Sequence, residues 1–578
     1  MNIRGECGMY AFHGLGRRLG RATFVPCLLV APVVASPQTV DSTQEGDAFD
    51  RARLRGTITA RWDYGLPAMS SGGDSLVGGS RSQMALGGWG IVSIARNVDL
   101  TIRFLAISDG IDRAAASRVS LAGSVVSGPG HLLVRPRVGW AQASIGRFCP
   151  SLSLLSGEGA PILGAGIELH PGKLSLTLAA GESNAYSIAS PWLPKRTLLM
   201  ASFGVGSDTG GEARVTVVRA RDHGEMDTAM DRRLGEGLLL SLAYTQRISD
   251  AVTIDAEAAG SGYTRDLRAS ALDESDQVAS EIFRLYTSSR FDYAATVGAH
   301  LRWEMWEVAL RANYAGPGYV PLASAFSDPD RLELTIAPRL SLLDGAVRLN
   351  GSLGHRSENM SRVMGNPSSR FTAALNLTAT LSEALWMEAT WNDFSRDYNR
   401  GFDADPAVTV WRSITVAPSM TFDADDIIHT LSARIAVDGY VDRLVGDIDA
   451  ARASTVAFGL DYSGSFRSRP LTAQCGLHRA RTADPLGGWT QISARAGLSY
   501  RFPAAGLSCA LGGEWTTRAD SDAAMDASAI ARGALTWTPL RSLTFSFSGS
   551  VTAYRGARLY SASSRNPVVM RSTLTTSF

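Results

Sequence analysis

Residues 543–553 read Leu-Thr-Phe-Ser-Phe-Ser-Gly-Ser-Val-Thr-Ala. Leu543, Phe545, Phe547, Gly549, Val551 and Ala553 fall on one side of an extended chain. Thr544, Ser546, Ser548, Ser550 and Thr552 fall on the other, because successive strand side chains point to opposite faces. A helical period would scatter these residues around an axis; a strand with one apolar and one polar face accounts for each of them.

The same alternation recurs along the chain. Ile492, Ala494, Ala496, Leu498, Tyr500 and Phe502 share a face, with Ser493, Arg495, Gly497, Ser499 and Arg501 opposite. So do Phe371 to Leu381, Leu332 to Leu342, Val456 to Tyr462, Phe291 to Trp303 and Leu238 to Tyr244, each taken in steps of two. Many of these runs exceed the usual five or six residues of a soluble strand, whereas a tilted strand crossing a bilayer needs about 9–11. Tight links at Arg247–Asp250, Glu304–Met305, Leu343–Gly345, Ser382–Ala384, Arg467–Pro470, Pro503–Ala505 and Pro539–Ser542 alternate with longer polar stretches. Short turns at one end and long loops at the other are the rhythm of a transmembrane barrel, with the short turns on the periplasmic side.

Composition narrows the alternatives. The chain has 578 residues and a formal net charge of +1, with a mean hydropathy of 0.00. That hydropathy excludes a polytopic helical membrane protein, and the balanced charge argues against nucleic acid as a partner. Five scattered cysteines do not make a disulfide scaffold. Of 56 basic residues only Lys173 and Lys195 are lysine, so 54 are arginine. Such a bias fits a GC-rich genome, and it also fits a pore wall in which planar guanidinium groups pair with carboxylates.

Arg17, Arg18 and Arg21 precede an apolar run from Ala22 to Val34, and small residues follow at Val33-Val34-Ala35. This reads as a secretory signal peptide over residues 1–35, too short to span a membrane as a helix. Residues 36–54 read as a short periplasmic N-terminal arm, and residues 55–578 as the barrel. The chain closes on Met570, Ser572, Leu574, Thr576 and Phe578 sharing one face. This resembles the C-terminal signal of bacterial outer-membrane β-barrel proteins, with Met570, Leu574 and Phe578 at its apolar positions and Ser572 and Thr576 departing from it. The resemblance implies outer-membrane lipid as surroundings, insertion by the barrel-assembly machinery, and a porin-like class without indicating a particular member.

The expected fold is all-β: a single large transmembrane antiparallel up-and-down β-barrel of about 26 strands, within a range of 22–26. Seventeen strands are expected from Gly237 to Phe578 and nine upstream, near 55–64, 84–95, 99–108, 117–126, 131–141, 161–169, 173–181, 197–205 and 213–221. Closure is required, because an open sheet edge cannot be satisfied in lipid.

A barrel this wide holds water unless something fills it. The segment 142–163 resembles porin sequences in which a strand ending in Gly-Arg, here Gly146-Arg147, runs into a loop folded into the pore. An ordinary surface loop is the alternative. Val278, Ile282 and Leu285, spaced as on a helix, suggest a short amphipathic helix in the 264–290 loop. Polar strand faces place Arg135, Arg137, Arg147, Arg302, Glu307, Arg311, Glu333, Arg339, Arg348, Glu388, Arg434, Asp438, Asp461, Arg495, Arg501, Glu514 and Arg532 as lumen candidates. They would either select solutes or brace the wall. Trp303, Trp306, Trp391, Trp515, Trp537 and Tyr500 suit interfacial girdles. No catalytic, metal or cofactor motif emerges, and the eight histidines are isolated. The leading expectation is a channel for small solutes. The alternative is an export or assembly barrel working with a periplasmic or lipoprotein partner, and a surface scaffold is a third class.

Overall fold

The computed structural model describes residues 53–66, 81–95, 98–109, 131–157, 161–183, 195–206, 210–223, 234–272, 283–322, 329–362, 366–398, 407–442, 452–484, 487–520, 525–555 and 568–577. The expected signal peptide, most of the arm, the strand expected at 117–126, Val278, Ile282 and Phe578 lie outside these residues.

Twenty-six strands follow one another. The first thirteen are β1 (Arg53–Leu66), β2 (Arg81–Ala95), β3 (Val98–Asp109), β4 (His131–Val138), β5 (Ala141–Phe148), β6 (Ile162–Leu169), β7 (Leu174–Ser183), β8 (Lys195–Gly206), β9 (Gly211–His223), β10 (Glu236–Arg247), β11 (Val252–Thr264), β12 (Ser289–Arg302) and β13 (Trp306–Ala315). The rest are β14 (Arg331–Leu342), β15 (Val347–Glu358), β16 (Ser368–Thr380), β17 (Leu385–Tyr398), β18 (Ala407–Ala424), β19 (Ile427–Asp442), β20 (Arg452–Phe466), β21 (Leu471–Asp484), β22 (Gly487–Phe502), β23 (Leu507–Asp520), β24 (Met525–Leu540), β25 (Leu543–Arg555) and β26 (Val568–Ser577). Each pairs antiparallel with its chain neighbours. β1 and β26 pair from Thr57↔Ser577 to Leu66↔Val568, which closes the sheet into an up-and-down barrel.

The N-terminal third reaches its nine strands by a different route from the expected one. The expected strand 131–141 stops at Val138, and the chain turns back at Gly139-Trp140. Gly139 takes φ +55°, a left-handed turn conformation that glycine adopts without a steric penalty. Residues 141–148, expected at the end of that strand and in the loop that follows, then form β5. Arg53 and Leu54, expected in the arm, begin β1.

The alternation sorts the side chains into two surfaces. Along β19, Leu431, Ile435 and Val437 are exposed on the outside, next to the outward Phe458 and Leu460 of β20. Ser432, Arg434, Ala436 and Asp438 occupy the opposite face. Met570 of β26 lies on an outward row with Leu574, as the terminal pattern implies. At the tight-turn end the outer face carries paired aromatics, two pairs stacked and Tyr500 edge-on to Phe502. Trp303 and Trp306 have centroids 4.1 Å apart, Tyr500 and Phe502 4.5 Å, and Trp537 and Phe545 5.5 Å. His429 joins this ring, stacked on Phe422 with its Nδ1 2.9 Å from the Tyr462 hydroxyl.

An outward substitution should therefore behave unlike an inward one at the same height. Leu431→Arg, at the fifth residue of β19 from its tight turn, is expected to cost about 2–4 kcal/mol, the penalty for a charge facing lipid near mid-membrane. Thr421→Arg, on the inner row of β18, should cost under about 1 kcal/mol. Equal losses in reversible denaturant unfolding would contradict the assigned faces.

Candidate functional site

The inner face holds sixteen of the seventeen lumen candidates. Arg135 and Arg137 stand on the inner row of β4, where Arg135 Nε donates to Ser144 Oγ at 3.1 Å and Arg137 Nε to the Gly139 carbonyl at 3.4 Å. Arg302 lies opposite Glu307 across β12 and β13. Glu307 Oε1 lies 2.8 Å from His300 Nε2 and accepts from Arg339 Nη1 at 3.4 Å. Glu333 is in register with Arg356, and Arg348 with Ser341. Glu388 accepts from Asn376 Nδ2 at 3.1 Å. Arg434 and Asp438 share the inner row of β19, and Arg501 that of β22.

Two of the charge pairs that span three strands do so across a glycine. Asp255, Gly298 and Arg311 are in register on β11, β12 and β13, and Asp255 lies 3.6 Å from Arg311 across the glycine. Asp461, Gly476 and Arg495 repeat the arrangement on β20, β21 and β22, with Arg495 Nη2 2.8 Å from Asp461 Oδ1. A Cβ at 298 or 476 would collide with the carboxylate. Strands sit about 4.8 Å apart, so the paired residues start about 9.6 Å apart and meet over the empty position. His478 Nε2 also reaches Asp461 Oδ1, at 3.1 Å. Arg532 donates to Glu514 at 3.0 Å on the next strands. Asp255, Gly298 and Gly476 are absent from the sequence-derived set; an inward glycine flanked by opposite charges on both neighbouring strands is the signal that would have found them.

Arg147 departs from the expectation. β5 continues through Phe148, whose ring lies against inward Gly166. Alternation therefore sets Arg147 on the outward row, in register with Leu163.

The residues after β5 turn into the barrel. Ser153 Oγ lies 3.0 Å from Ser241 Oγ on β10. The Leu155 amide donates to Glu257 Oε2 on β11 at 3.1 Å. Ser153 and Ser156 tie the segment to itself, the Ser153 amide donating to Ser156 Oγ at 3.1 Å. The segment thus lies over the inner faces of β6 to β9. A second segment meets it from the connection after β13: the Tyr319 hydroxyl donates to the Leu155 carbonyl at 2.8 Å, and the Val320 amide to Ser261 Oγ at 3.2 Å. Burial and the carboxylate of Glu257 push the Tyr319 pKa up, so the phenol keeps the proton it donates. Beneath both segments the inner wall mixes an apolar patch with buried hydroxyls such as those of Ser202 and Thr216, 2.9 Å apart. Phe148, Leu152, Ile162, Leu198, Met200, Val218 and Leu239 form one buried cluster with Tyr319.

A closed wall with an apolar outer face, an aromatic ring at one end and a polar lumen is the architecture of an outer-membrane protein. The chain is an outer-membrane β-barrel. Comparison with solved structures returns proteins of that kind. The siderophore receptor PirA from Pseudomonas aeruginosa matches at 11% identity and a TM-score of 0.38, over 91% of this chain and 80% of that one. OccK11 from Pseudomonas aeruginosa matches at 9% identity and 0.28, over 91% and 96%. The translocation pore of the P pilus usher PapC matches at 8% identity and 0.40, over 90% and 99%. No family model and no curated protein matches the chain.

The barrel's inner surface is thus divided. One sector, β4 to β13, is roofed by infolded chain over apolar residues, although charged groups such as Glu307 and Arg311 stand lower on its last strands. The other, β14 through β26 and on to β3, has no such buried apolar cluster among the described residues and carries charges. Ser241→Ala combined with Tyr319→Phe removes two ties worth about 1 kcal/mol each. The Leu155 amide should then exchange its hydrogen about tenfold faster or more, with the exchange of β18 to β22 unchanged. An unaltered rate at Leu155 would show that these ties do not hold the segment.

Proposed function

We propose that the barrel is a porin-like channel through which small solutes diffuse across the outer membrane. Their passage is selected by the mixed arginine and carboxylate lumen and narrowed by infolded chain. The observation that carries this reading is the segment 149–157, hydrogen-bonded to the inner wall five strands from where it leaves it. A circular wall of 26 strands would be roughly 50 Å across. An unobstructed lumen of that size would discriminate little, whereas an inward-folded segment reduces the open section and leaves charges of both signs along the remaining wall. The channel catalyses no reaction in this reading. Residues 1–35 serve as the signal peptide and 36–54 as the periplasmic arm, and the barrel-assembly machinery inserts the wall.

The second reading is a large export or assembly barrel acting with a periplasmic or lipoprotein partner. The number of strands favours it, since a wall this wide exceeds what small solutes require. Co-purification of a stoichiometric partner would decide for it.

Planar-bilayer recording tests the channel. Purified protein should insert and conduct in discrete steps. Ser241→Ala with Tyr319→Phe should raise the unitary conductance or its noise, on the order of twofold. Asp461→Asn with Glu514→Gln removes two lumen anions and should shift the reversal potential in a salt gradient toward anion preference. Protein that inserts and never conducts would remove the proposal.

A further inference from the structure

The outer wall contains charges that an apolar layer should exclude. Arg412 on β18 faces outward and donates to Asp393 on β17 at 2.8 Å. Arg219 on β9 faces outward and pairs with Glu236 on β10 at 2.7 Å. In both cases an acidic group on the adjacent strand offsets the charge, and the carboxylate itself is buried.

Arg479 and Arg481 on β21 are different. Their register partners are Phe458 and Val456 on β20, and Ile492 and Thr490 on β22. Leu477 precedes them on the same outward row and is 56% exposed. Among the described residues no carboxylate stands on the outward rows of β20, β21 or β22. Both arginines are exposed. Two residues apart on one face, they start about 7 Å from each other, within reach of one anion for side chains of this length.

Their height in the wall identifies the anion. Arg479 is the ninth residue of β21, counted from the tight turn at 467–470, and Arg481 the eleventh. At the rise of a strand tilted about 40°, they stand roughly 20 and 26 Å above that turn, at the upper margin of an apolar band about 25 Å tall. The long-connection end faces outward from the cell, so this margin meets the headgroups of the outer leaflet. Arg452, at the upper end of β20 and on the same outward row as Val456, adds a third positive charge above them.

We propose that Arg479 and Arg481 form a binding site for a phosphate group of an outer-leaflet lipid, with its acyl chains lying over Leu460, Leu477 and Ile492. A guanidinium pair gives the fork geometry and charge that a phosphate takes, and the rows below are apolar. The anion supplies from the lipid what Asp393 and Glu236 supply from the protein elsewhere. The proposal is independent of conduction through the lumen.

The test uses the full-length protein in detergent micelles, with lipopolysaccharide as the probe. Binding is measured by native mass spectrometry and by titration of intrinsic fluorescence. The wild-type protein should hold lipopolysaccharide, and Arg479→Ala with Arg481→Ala should weaken it by about tenfold or more, the loss of two charge-assisted contacts. These alanines make the outer face more apolar, so the folded state, followed by heat-dependent gel mobility, should persist. A second arm needs no variant: enzymatically dephosphorylated lipopolysaccharide should bind the wild type as weakly as the intact lipid binds the double variant. Unchanged binding in either arm overturns the proposal. Displacement of the lipid by millimolar inorganic phosphate would also overturn it, because the site would then take the free anion and not the lipid.

Discussion

An apolar layer offers no hydrogen-bond partner to a peptide group, and each unsatisfied one costs several kcal/mol. Every other feature of this protein follows from meeting that requirement. Pairing from Thr57↔Ser577 to Leu66↔Val568 leaves no edge strand in the wall. Closure in turn gives each strand two unlike surroundings, lipid and lumen, so the side chains must alternate. That is why 543–553 places Phe545 and Phe547 against Ser546 and Ser548. It is also why a net charge of +1 conceals opposed charges gathered largely on one surface.

Closure with 26 strands creates a second problem, since side chains alone cannot fill so wide an interior. The barrel meets it differently in its two sectors. Where β8 and β10 turn Leu198, Met200 and Leu239 inward, those groups would face water without a cover. The chain after β5, with Tyr319, supplies one. Elsewhere the wall stays wet, and charges face each other across it. Side chains on adjacent strands meet directly, as Glu307 and Arg339 do in register. Asp255 and Asp461 reach arginines two strands away because the residue between has no Cβ, at Gly298 and Gly476.

The sequence made the wall legible wherever one face is lipid and the other water. Period two marks β14, β16, β22 and β25 nearly residue by residue, and the tight links mark their ends. It was less legible where those contrasts fade. In β8, Leu198, Leu199 and Met200 are consecutive and apolar, because one face meets lipid and the other meets the infolded segment. That doubly apolar run is itself the trace of a covered inner wall, and the alternation rule passes over it. β5 is short and has Gly146 at φ +111° immediately before Arg147, so its strand character is weak. The turn at Gly139 depends on a backbone conformation and not on hydropathy. The position of Arg147 depends on the same turn: once β5 runs through Phe148, parity puts Arg147 outside. Of the pore candidates, positions followed from alternation. Partners did not, because Asp255 and Arg311 lie on different strands whose register no single segment reveals.

The near-absence of lysine acquires a physical meaning in this setting. A lysine ammonium is a compact, strongly hydrated point charge. A guanidinium is planar, more weakly hydrated and carries donors along two edges. Arg495 uses that shape to lie across Gly476 with both Nε and Nη2 on Asp461 Oδ1. Arg196 grips both oxygens of buried Asp222 through Nε and Nη2 and still donates to the Leu322 carbonyl through Nη1, tying the second infolded segment to the wall. Lysine at either position would keep the charge and lose this two-edged reach. A genome that favours arginine would give the same count, but not this placement across glycine gaps and at the root of an infolded segment. The composition permits these bridges; the register of the closed wall determines where they form.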